Sequence, residues 1–316
     1  MNIYRGDMHF HTDASDGYAT WEERLESAIK KGLHVVTPTD HDIVTSPQFI
    51  ESAREQGIFT WPSVEISAHN PEQQYSLHIT HYANHYNDTL NDVLAHTREQ
   101  KESLTHKRLE VLLNKDFSGS IDDFIDFFKK QGRSKASLNK FDMAHYLLSY
   151  EKNMRIVQGI LGDSIKNKKF IHQVLSFYES CLKDDQTFPD FYNVRVPKYE
   201  PDIDLLYNDI IGRDDILCIA HPNHTFKTIE RFRNELPYYV ERGVNAVEIN
   251  SCADKDWVQA IYQVIKKYNL ILTLGSDNHK PGMTDNKHGD FGVLNPNLSQ
   301  DQIGDIFTGV VKHMEK

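Results

Sequence analysis

Apolar runs and amphipathic helical segments alternate along the first part of the chain. Strands are predicted at three apolar runs, IYRGDMHFH, LHVVTPTDHD and IFTWPSVEIS. Helices are predicted between them, at TWEERLESAIKKG and SPQFIESAREQG. Thr20 can cap the first helix and Gly32 can end it. This order predicts parallel strands joined by crossover helices.

The same alternation returns in the last third of the chain. Strands are predicted at DILCIAHPNH, NAVEINS and NLILTLGSDNH, with helices at TIERFRNELPYYVERG and DWVQAIYQVIKKY. The intervening text consists of long helical segments, such as SIDDFIDFFKKQG. We therefore predict one α/β domain, residues 1–87 and 191–316, interrupted by a helical insertion over residues 88–190 that covers the strand ends and the substrate.

Composition limits the classes of protein that fit. With 316 residues, 39% of them hydrophobic, the chain can bury a core. It contains no run of about 18 apolar residues, and Asp7 lies where a signal peptide would have its apolar segment. We therefore expect a cytoplasmic protein without membrane contact. The formal charge of −11 disfavours a broad nucleic-acid surface but allows a small anionic substrate near local cations.

Cysteine usage restricts the chemistry of any metal site. Cys181, Cys218 and Cys252 are widely separated and form no CxxC pair. This spacing argues against a disulfide framework and against a thiolate zinc site. Any metal ion must therefore be held by histidine and carboxylate side chains.

Histidine and carboxylate residues concentrate where the predicted strands end. His9 and His11 are two apart in an extended segment, so both project to the same side. Further candidates at other strand ends are Asp40, His41 and Asp42 in TDHD, Glu65 in SVEIS, His78 in LHIT, His221 in AHP, and Asp277 and His279 in GSDNH. The carboxyl ends of parallel strands gather at one face of an α/β fold, which predicts one metal-binding face.

The mixture of ligands favours Mn²⁺, Zn²⁺ or Fe over Mg²⁺ or Ca²⁺. Eight or nine candidate ligands exceed what one ion takes, so we expect two or three ions, with a carboxylate such as Glu65 bridging two of them. Metal ions about 3.5–4 Å apart can hold a phosphoryl oxygen and convert a bridging water into hydroxide. The pattern therefore predicts hydrolysis at phosphorus.

Six motifs, in order, resemble those of the PHP (polymerase and histidinol phosphatase) family: HFHTDASDG, TDHD, VEIS, LHIT, AHP and GSDNH. The resemblance covers residues 1–85 and 200–295. It implies an α/β fold of the distorted (β/α)₇ TIM-like barrel type, here with an inserted helical lobe. It also implies a metal-dependent phosphoesterase that uses a metal-bridging hydroxide at a trinuclear site, with three divalent ions, Mn²⁺ first and Zn²⁺ or Fe as alternatives.

The resemblance also implies which residues bind the ions. It assigns the first ion to His9, His11, Glu65 and Asp277, the second to Glu65, His78 and His221, and the third to Asp16, His41 and His279. Asp16 fills a position where some members of the family have histidine. Asp7 and Asp40 are expected to orient imidazoles from behind. Glu248, in VEINS, looks like Glu65 in VEIS, but we expect Glu248 to support the site or the fold.

Within the family, the chain is most similar to the subgroup that dephosphorylates nucleoside 3′,5′-bisphosphates and trims short RNA from its 5′ end. That subgroup carries an Arg-Pro-His-x-Ala stretch whose Arg contacts substrate phosphate. The corresponding LNKFDMAHYLL has Lys140, Phe141 and Asp142 in place of Arg, Pro and His, which weakens the substrate assignment. Lys140 can still neutralise phosphate, without bidentate geometry. Arg195 is either a second phosphate anchor or a surface charge.

We predict hydrolysis of a small phosphorylated metabolite or nucleotide, with no obligate protein partner. His224, three residues after His221, is either the acid that protonates the leaving oxygen or a substrate contact, and a metal-bound water is the alternative acid. Three other functions stay open: a 5′–3′ exonuclease acting on oligonucleotides such as short RNA, a histidinol-phosphate phosphatase, and a non-catalytic metal-binding module.

Overall fold

A computed structural model describes residues 4–133, 135–136, 138–162, 165–196, 199–206, 212, 214–280 and 288–316. The chain divides into two compact units. The first combines Met1–Ala95 with Glu200–Lys316, and the second is His96–Tyr199. These boundaries fall several residues after the predicted ones, and the first lies inside a helix that begins at Asp88.

The first unit contains the strands. They are β1 Gly6–Asp7, β2 Val35–Val36, β3 Ser63–Asn70, β4 Tyr75–Tyr82, β5 Ile216–Ile219, β6 Ala246–Asn250 and β7 Ile271–Gly275. Its helices are α1 Trp21–Lys31, α2 Pro47–Glu55, α9 Ile203–Leu205, α10 Pro222–Phe226, α11 Ile229–Glu241, α12 Lys255–Tyr268 and α13 Gln300–Met314. None of the helices in the described residues combines the length and apolar character needed to cross a bilayer.

The strands form two sheets, and the alternation predicted from the sequence accounts for most of their order. β1 pairs with β2 in parallel, and a second sheet has the order β3-β4-β5-β6-β7. In that sheet β5, β6 and β7 are parallel, as predicted, but β4 runs antiparallel to both β3 and β5. The prediction that His78 follows a parallel strand end is therefore wrong: His78 lies within β4.

The structure confirms the α/β class of the fold but not the closed barrel, because the described strands form no closed hydrogen-bonded ring. Isolated bridges connect the two sheets, with Phe10 against Asn278 on one side and His41 against Glu65 on the other. A longer ladder needs extended backbone, but Asp42 (φ 56°) and Asp277 (φ 54°) have left-handed backbone beside these bridges. The ladder stops where the candidate ligands begin.

Helix α1 shows how local sequence sets the element ends. The Thr20 side chain accepts a hydrogen bond from the Glu23 backbone N–H, and the Glu23 side chain accepts one from the Thr20 N–H, which is a capping box. Gly32 ends the helix at φ 64°, a conformation that glycine adopts without steric cost. Leu25 and Ala28 of this helix face the core. The caps at Thr20 and Gly32 confirm the predicted helix ends.

The second unit is helical. Its elements are the larger part of α3 Asp88–Leu113, then α4 Ile121–Lys130, α5 Lys140–Leu148, α6 Glu151–Leu161, α7 Phe170–Phe177, a π-helix Tyr178–Leu182 and α8 Pro189–Tyr192. Asn139 caps α5 together with Asp142, and Asp142 also forms a buried ion pair with Lys135, at 2.7 Å. In this chain Asp142 therefore stabilises the start of a helix.

At Gly275, β7 packs closely against the segment that follows β1. A Cβ atom at this position would lie 2.2 Å from the His9 Cβ and 3.0 Å from the His9 Cα. We expect Gly275→Ala to lower the free energy of unfolding by about 1–3 kcal/mol or more, through overpacking. Urea unfolding in the presence of EDTA measures this change without any contribution from bound metal.

Gly309, in α13, provides the matched control. Nothing lies within 4 Å of a Cβ added at this position. Gly309→Ala should therefore raise the free energy of unfolding by roughly 0.5–1 kcal/mol. A Gly275→Ala variant as stable as the wild type would contradict the close packing of β7 on His9.

Candidate metal centre

The candidate site is built around the Glu65 carboxylate, which is fully buried in β3. In the antiparallel β3-β4 pair Glu65 lies opposite Thr80, and Ser67 lies opposite His78. Glu65 and His78 are therefore diagonal neighbours on one face of the sheet. This register places the His78 Nδ1 3.0 Å from the Glu65 Oε1.

Five imidazoles surround the two oxygens of Glu65. Oε1 lies 2.9 Å from the His221 Nε2, 3.0 Å from the His78 Nδ1 and 3.3 Å from the His9 Nε2. Oε2 lies 3.0 Å from the His41 Nδ1 and 3.3 Å from the His11 Nε2. The two oxygens thus serve different groups of histidines, which is the arrangement of a bridging carboxylate.

Two further carboxylates complete the cluster. The Asp277 Oδ1 lies 3.3 Å from the His11 Nε2 and 3.6 Å from the His9 Nε2. Asp16 lies with Oδ1 3.6 Å from the His11 Nδ1, and with Oδ2 3.7 Å from the His41 Nε2 and 3.4 Å from the His279 Nε2. The nine predicted ligands therefore form one cluster: His9, His11, Asp16, His41, Glu65, His78, His221, Asp277 and His279.

The grouping of the ligands differs in detail from the predicted sets. Potential ligand atoms lie within 4.8 Å of one another in several groups, and one of them is His41, Glu65 and His78. His41 faces Glu65 through Nδ1 and Asp16 through Nε2, so it can belong to either of two neighbouring ion sites. The assignment of each ligand to a particular ion remains a prediction.

Several buried polar atoms in this cluster have no hydrogen-bond partner among the described residues. They are the His9 Nε2, the His11 Nε2, the His41 Nδ1, the Glu65 Oε2 and the His221 Nδ1. Leaving such atoms unsatisfied is costly in a folded protein, and four of the five point at other ligand atoms. Imidazole nitrogens and carboxylate oxygens at these positions fit divalent ions of the Mn²⁺, Zn²⁺ and Fe²⁺ type.

The carboxylates of the site are ionised. Burial alone would raise the pKa of Glu65, but the imidazoles of His78 and His41 hold it well below its usual range. Burial alone would raise the pKa of Asp277 as well, but His9 and the other imidazoles around it together hold that pKa well below its usual range. Both residues therefore present charged oxygens at neutral pH, as metal coordination requires.

The imidazoles divide into two protonation states. Burial lowers the pKa of His41 to about 3, and burial and the charge of His279 lower the pKa of His11, so both rings are neutral at pH 7. Against burial, Asp16 raises the pKa of His279 to about 9. His279 thus holds a proton that a metal ion would displace.

Left-handed backbone occurs at two ligand positions. His221 has φ 28° at the start of α10, and Asp277 has φ 54° after β7. Such conformations are costly for residues other than glycine and persist where the surrounding structure imposes them. Here the His221 ring lies against the Glu65 Oε1, at 2.9 Å, and the Asp277 carboxylate lies against the His11 Nε2, at 3.3 Å.

The contacts described for Asp7 and Asp40 are with hydroxyl and backbone N–H groups, and their role in orienting imidazoles remains a prediction. Asp7 accepts hydrogen bonds from the backbone N–H and hydroxyl of Ser276, at 3.0 and 2.6 Å, and from the Gly292 N–H at 2.8 Å. The Asp40 carboxylate accepts from the Thr12 N–H and hydroxyl, at 2.8 and 2.7 Å. Both carboxylates stabilise the loops that carry ligands, because they satisfy backbone donors there.

Glu248 lies behind the site, where a supporting role was expected, and His288 lies beside the cluster although sequence reasoning gave it no role. The Glu248 Oε2 lies 2.5 Å from the His9 Nδ1, so Glu248 orients that ring from behind. The similarity of VEINS to VEIS was a signal for it. The His288 Nε2 lies 3.8 Å from the Asp277 Oδ2. No motif or strand pattern in the sequence around His288 indicated that it would lie beside the cluster.

The residues predicted to contact substrate lie in two places. His224 stacks beside His221, with ring centroids 5.5 Å apart, and is therefore next to the ligand cluster. Lys140 and Arg195 both lie in the second unit. Lys140 is the first residue of α5, and Arg195 donates to the Tyr192 carbonyl oxygen at 2.7 Å.

The sequence matches a known family over about half its length. The PHP domain family model matches residues 7–161, a span that includes His9, His11, Asp16, His41, Glu65 and His78. The chain is a PHP-domain protein. The family predicted from the motifs is confirmed, and so is the enzyme class, a metal-dependent hydrolase of phosphoester bonds.

Individual relatives resemble the chain over most of its length. The chain is 25% identical over 277 residues to a 5′-3′ exoribonuclease of Haemophilus influenzae, covering 87% of this chain and 90% of the relative. Two solved structures are also similar to the chain. In each case the similar region spans 98% of this chain and 96% of the chain of the solved structure. One is a candidate metal-dependent phosphoesterase from Bifidobacterium adolescentis (TM-score 0.65, 19% identity), and the other is an amidohydrolase from Chromobacterium violaceum with bound sulfate (TM-score 0.68, 17% identity). These structures share the fold.

The position of Glu65 predicts that one conservative change disrupts the whole centre. We expect Glu65→Gln to lose most of the bound metal, since it removes the negative charge that five imidazoles share. Metal per chain is measured by mass spectrometry after dialysis against Mn²⁺. Glu51→Gln, at an exposed position of α2, is the matched control and should keep the wild-type content. Equal metal content in the two variants would contradict a bridging role for Glu65.

Proposed function

We propose that this PHP-domain protein is a phosphomonoesterase that acts on a small phosphorylated nucleotide or metabolite at a centre of three divalent ions, Mn²⁺ first among them. The observation that carries the proposal is the single carboxylate of Glu65 between two groups of imidazoles. Such a carboxylate can hold two ions close together. Adjacent ions are what displacement at phosphorus uses to hold attacking and leaving oxygens.

The chain's own residues prepare the site for this chemistry. When bound, the ions would supply Lewis acidity toward a phosphoryl oxygen and activate water as the nucleophile. His9, His11 and Glu65 are fully buried and would hold ions on the inner side. The side chains of His78 and Asp16 are 35% and 31% exposed, so the cluster opens to solvent on their side. A phosphate group can approach there.

His224 remains the candidate acid for the leaving oxygen. Burial, reinforced by His221, lowers its pKa to about 4, so the free ring is neutral at pH 7. A substrate phosphate beside the ring would raise this pKa, because an adjacent negative charge favours the protonated form. The proposed role thus depends on bound substrate.

The second unit contains a group of positive side chains suited to bind phosphate. Its members are Arg108, Lys140, Lys183 and Arg195. The Arg108 guanidinium lies 5.4 Å from the ring centroid of Phe191 in α8, the helix to which Arg195 also hydrogen-bonds. The Arg108 Nε is buried and has no hydrogen-bond partner among the described residues. Aromatic packing connects the remaining two lysines.

Lys183 lies over the Tyr178 ring, at 4.7 Å, and Phe141, the neighbour of Lys140, packs against the same ring at 5.6 Å. Burial and the charges of Arg108 and Lys183 lower the pKa of Lys140 to about 8. Cations that repel one another in this way gain free energy when an anion binds. We propose that Lys140 and Arg195 neutralise substrate phosphate, with Arg108 as a further contributor.

A 5′–3′ exoribonuclease is the second candidate, and two observations favour it. One is the Haemophilus influenzae relative of that name. The other is the separation of charge within the chain: residues 96–199 carry 18 Lys and Arg against 14 Asp and Glu, whereas the rest carries 17 against 32. A positive helical unit in an acidic protein suits a substrate with several phosphates.

Three substrates distinguish the candidate functions. Purified protein with Mn²⁺ is assayed against 3′-phosphoadenosine 5′-phosphate, histidinol phosphate and a short 5′-phosphorylated RNA, with and without chelator. We expect chelator-sensitive release of phosphate from the first. Release of mononucleotides from the RNA supports the exoribonuclease instead. Inactivity on all three, with metal bound, contradicts the proposal and favours a binding module.

The lowered pKa of Lys140 predicts a pH dependence of KM. Lys140 is protonated below about pH 8 and loses its charge as the pH rises through that value. KM for the phosphorylated substrate should therefore rise between pH 7 and 9. Lys140→Ala should raise KM about tenfold at pH 7, because a charged contact is lost. Steady-state kinetics across this pH range measure both effects.

Two variants control the assignment to Lys140. Lys140→Arg should keep a low KM and remove the pH dependence, since a guanidinium stays protonated. Lys152→Ala, at an exposed position of α6, should behave as the wild type. A KM that is unaffected by Lys140→Ala would exclude Lys140 from substrate binding.

A further inference from the structure

Arg24 is a buried cation in α1 whose position the helix pattern does not explain. It lies in the polar stretch WEERLESAIKK, yet it is only 1% exposed. A buried guanidinium is costly unless its donors are satisfied. Its hydrogen bonds therefore indicate what it stabilises.

The guanidinium connects two segments that carry candidate ligands. Its Nε and Nη2 donate to the His11 carbonyl oxygen, at 3.1 and 2.8 Å. Its Nη1 donates to the Asn278 Oδ1 at 2.6 Å, and Nη2 also donates to the Asn278 carbonyl oxygen at 3.1 Å. The rings of Phe10 and Phe291 lie 5.6 and 5.3 Å from its central carbon. Four hydrogen bonds thus converge on two residues.

These two residues occupy decisive positions. His11 is a candidate ligand, and Asn278 lies between two others, Asp277 and His279. The rings of His11 and His279 stack with centroids 4.1 Å apart, and the His11 Nε2 lies 3.3 Å from the Asp277 Oδ1. Small shifts between the segments would change both separations.

Other hydrogen bonds also join these two segments: the Asp277 N–H donates to the His9 carbonyl oxygen at 2.7 Å, and Ser276 donates to Asp7. Regular strand pairing, however, does not continue to the ligand positions. The β-bridge between them is the isolated pair of Phe10 and Asn278, supported by the bond from the His11 N–H to the Asn278 carbonyl oxygen at 2.9 Å. Asp277 also has left-handed backbone, at φ 54°. Arg24 adds its hydrogen bonds at this interrupted ladder.

We propose that Arg24 is a positioning residue for the metal centre, which sets the separation of His11 from Asp277 and His279 through the carbonyl oxygens of His11 and Asn278. The inference rests on the proposed metal centre. Arginine suits this role because its rigid planar fork reaches three acceptors with three nitrogens at once, whereas the lysine ammonium is a single donor centre on a flexible stem and cannot reproduce all four hydrogen bonds.

The test compares metal binding by the full chain with three variants, Arg24→Gln, Arg24→Lys and Arg54→Gln. Mn²⁺ affinity and stoichiometry are measured by calorimetry, and the unfolding temperature is measured in EDTA and in Mn²⁺. We expect Arg24→Gln to weaken Mn²⁺ binding by about 10–100-fold, the usual effect of removing a group behind a ligand. Arg24→Lys should show a smaller loss. Arg54→Gln, at an exposed position of α2, should bind as the wild type.

The metal-induced rise in unfolding temperature separates positioning from general stabilisation. It should shrink in Arg24→Gln relative to the control. A lower unfolding temperature in EDTA with unchanged Mn²⁺ affinity would overturn the proposal. If Arg24→Gln does not fold, Arg24→Lys and Asn278→Ser decide, and wild-type affinity in both rejects it. Failure of the wild type to bind Mn²⁺ would instead reject the metal centre.

Discussion

The structure of the first unit depends on one buried carboxylate surrounded by imidazoles. Glu65 has no exposed side-chain surface, and a charge in such a place is tolerated only with compensating partners. Five histidines provide them, and they come from strands and loops that are far apart in the sequence. Each segment that reaches Glu65 is thereby fixed relative to the others, and the shared carboxylate defines the centre of the site.

The fold accommodates this cluster by giving up regular structure beside it. The strand ladder is reduced to isolated bridges where the ligand segments pass, and two ligands, His221 and Asp277, have left-handed backbone. Buried polar groups behind the ligands compensate for this irregularity. Asp7 and Asp40 satisfy loop donors, and Arg24 satisfies the carbonyl acceptors. Stability and site geometry are therefore supplied by the same hydrogen bonds.

The two units carry different parts of the proposed chemistry. The acidic first unit concentrates metal ligands, and the helical second unit carries more Lys and Arg than Asp and Glu. Burial and mutual repulsion lower the pKa of Lys140 there, which keeps the group responsive to an anion. This division explains how a protein with a net charge of −11 can act on a phosphorylated substrate.

The sequence alone determined the α/β class, the ends of helix α1 and the set of candidate ligands that the fold brings together. These features are local: capping residues, alternating apolar runs, and histidines and carboxylates placed directly after strands. The motif order was sufficient to recognise the PHP family. Six short motifs with metal-binding residues are difficult to explain by packing alone.

Only the tertiary structure decided the features that depend on distant partners. The antiparallel direction of β4 places His78 diagonally from Glu65, and strand direction is not encoded in an apolar run. Asp7 and Asp40 are predicted to orient imidazoles, and the partners described for them are loop donors that only folding brings near. Sequence analysis gave Arg24 no role, because helical periodicity cannot show that its acceptors come from the segments that follow β1 and β7.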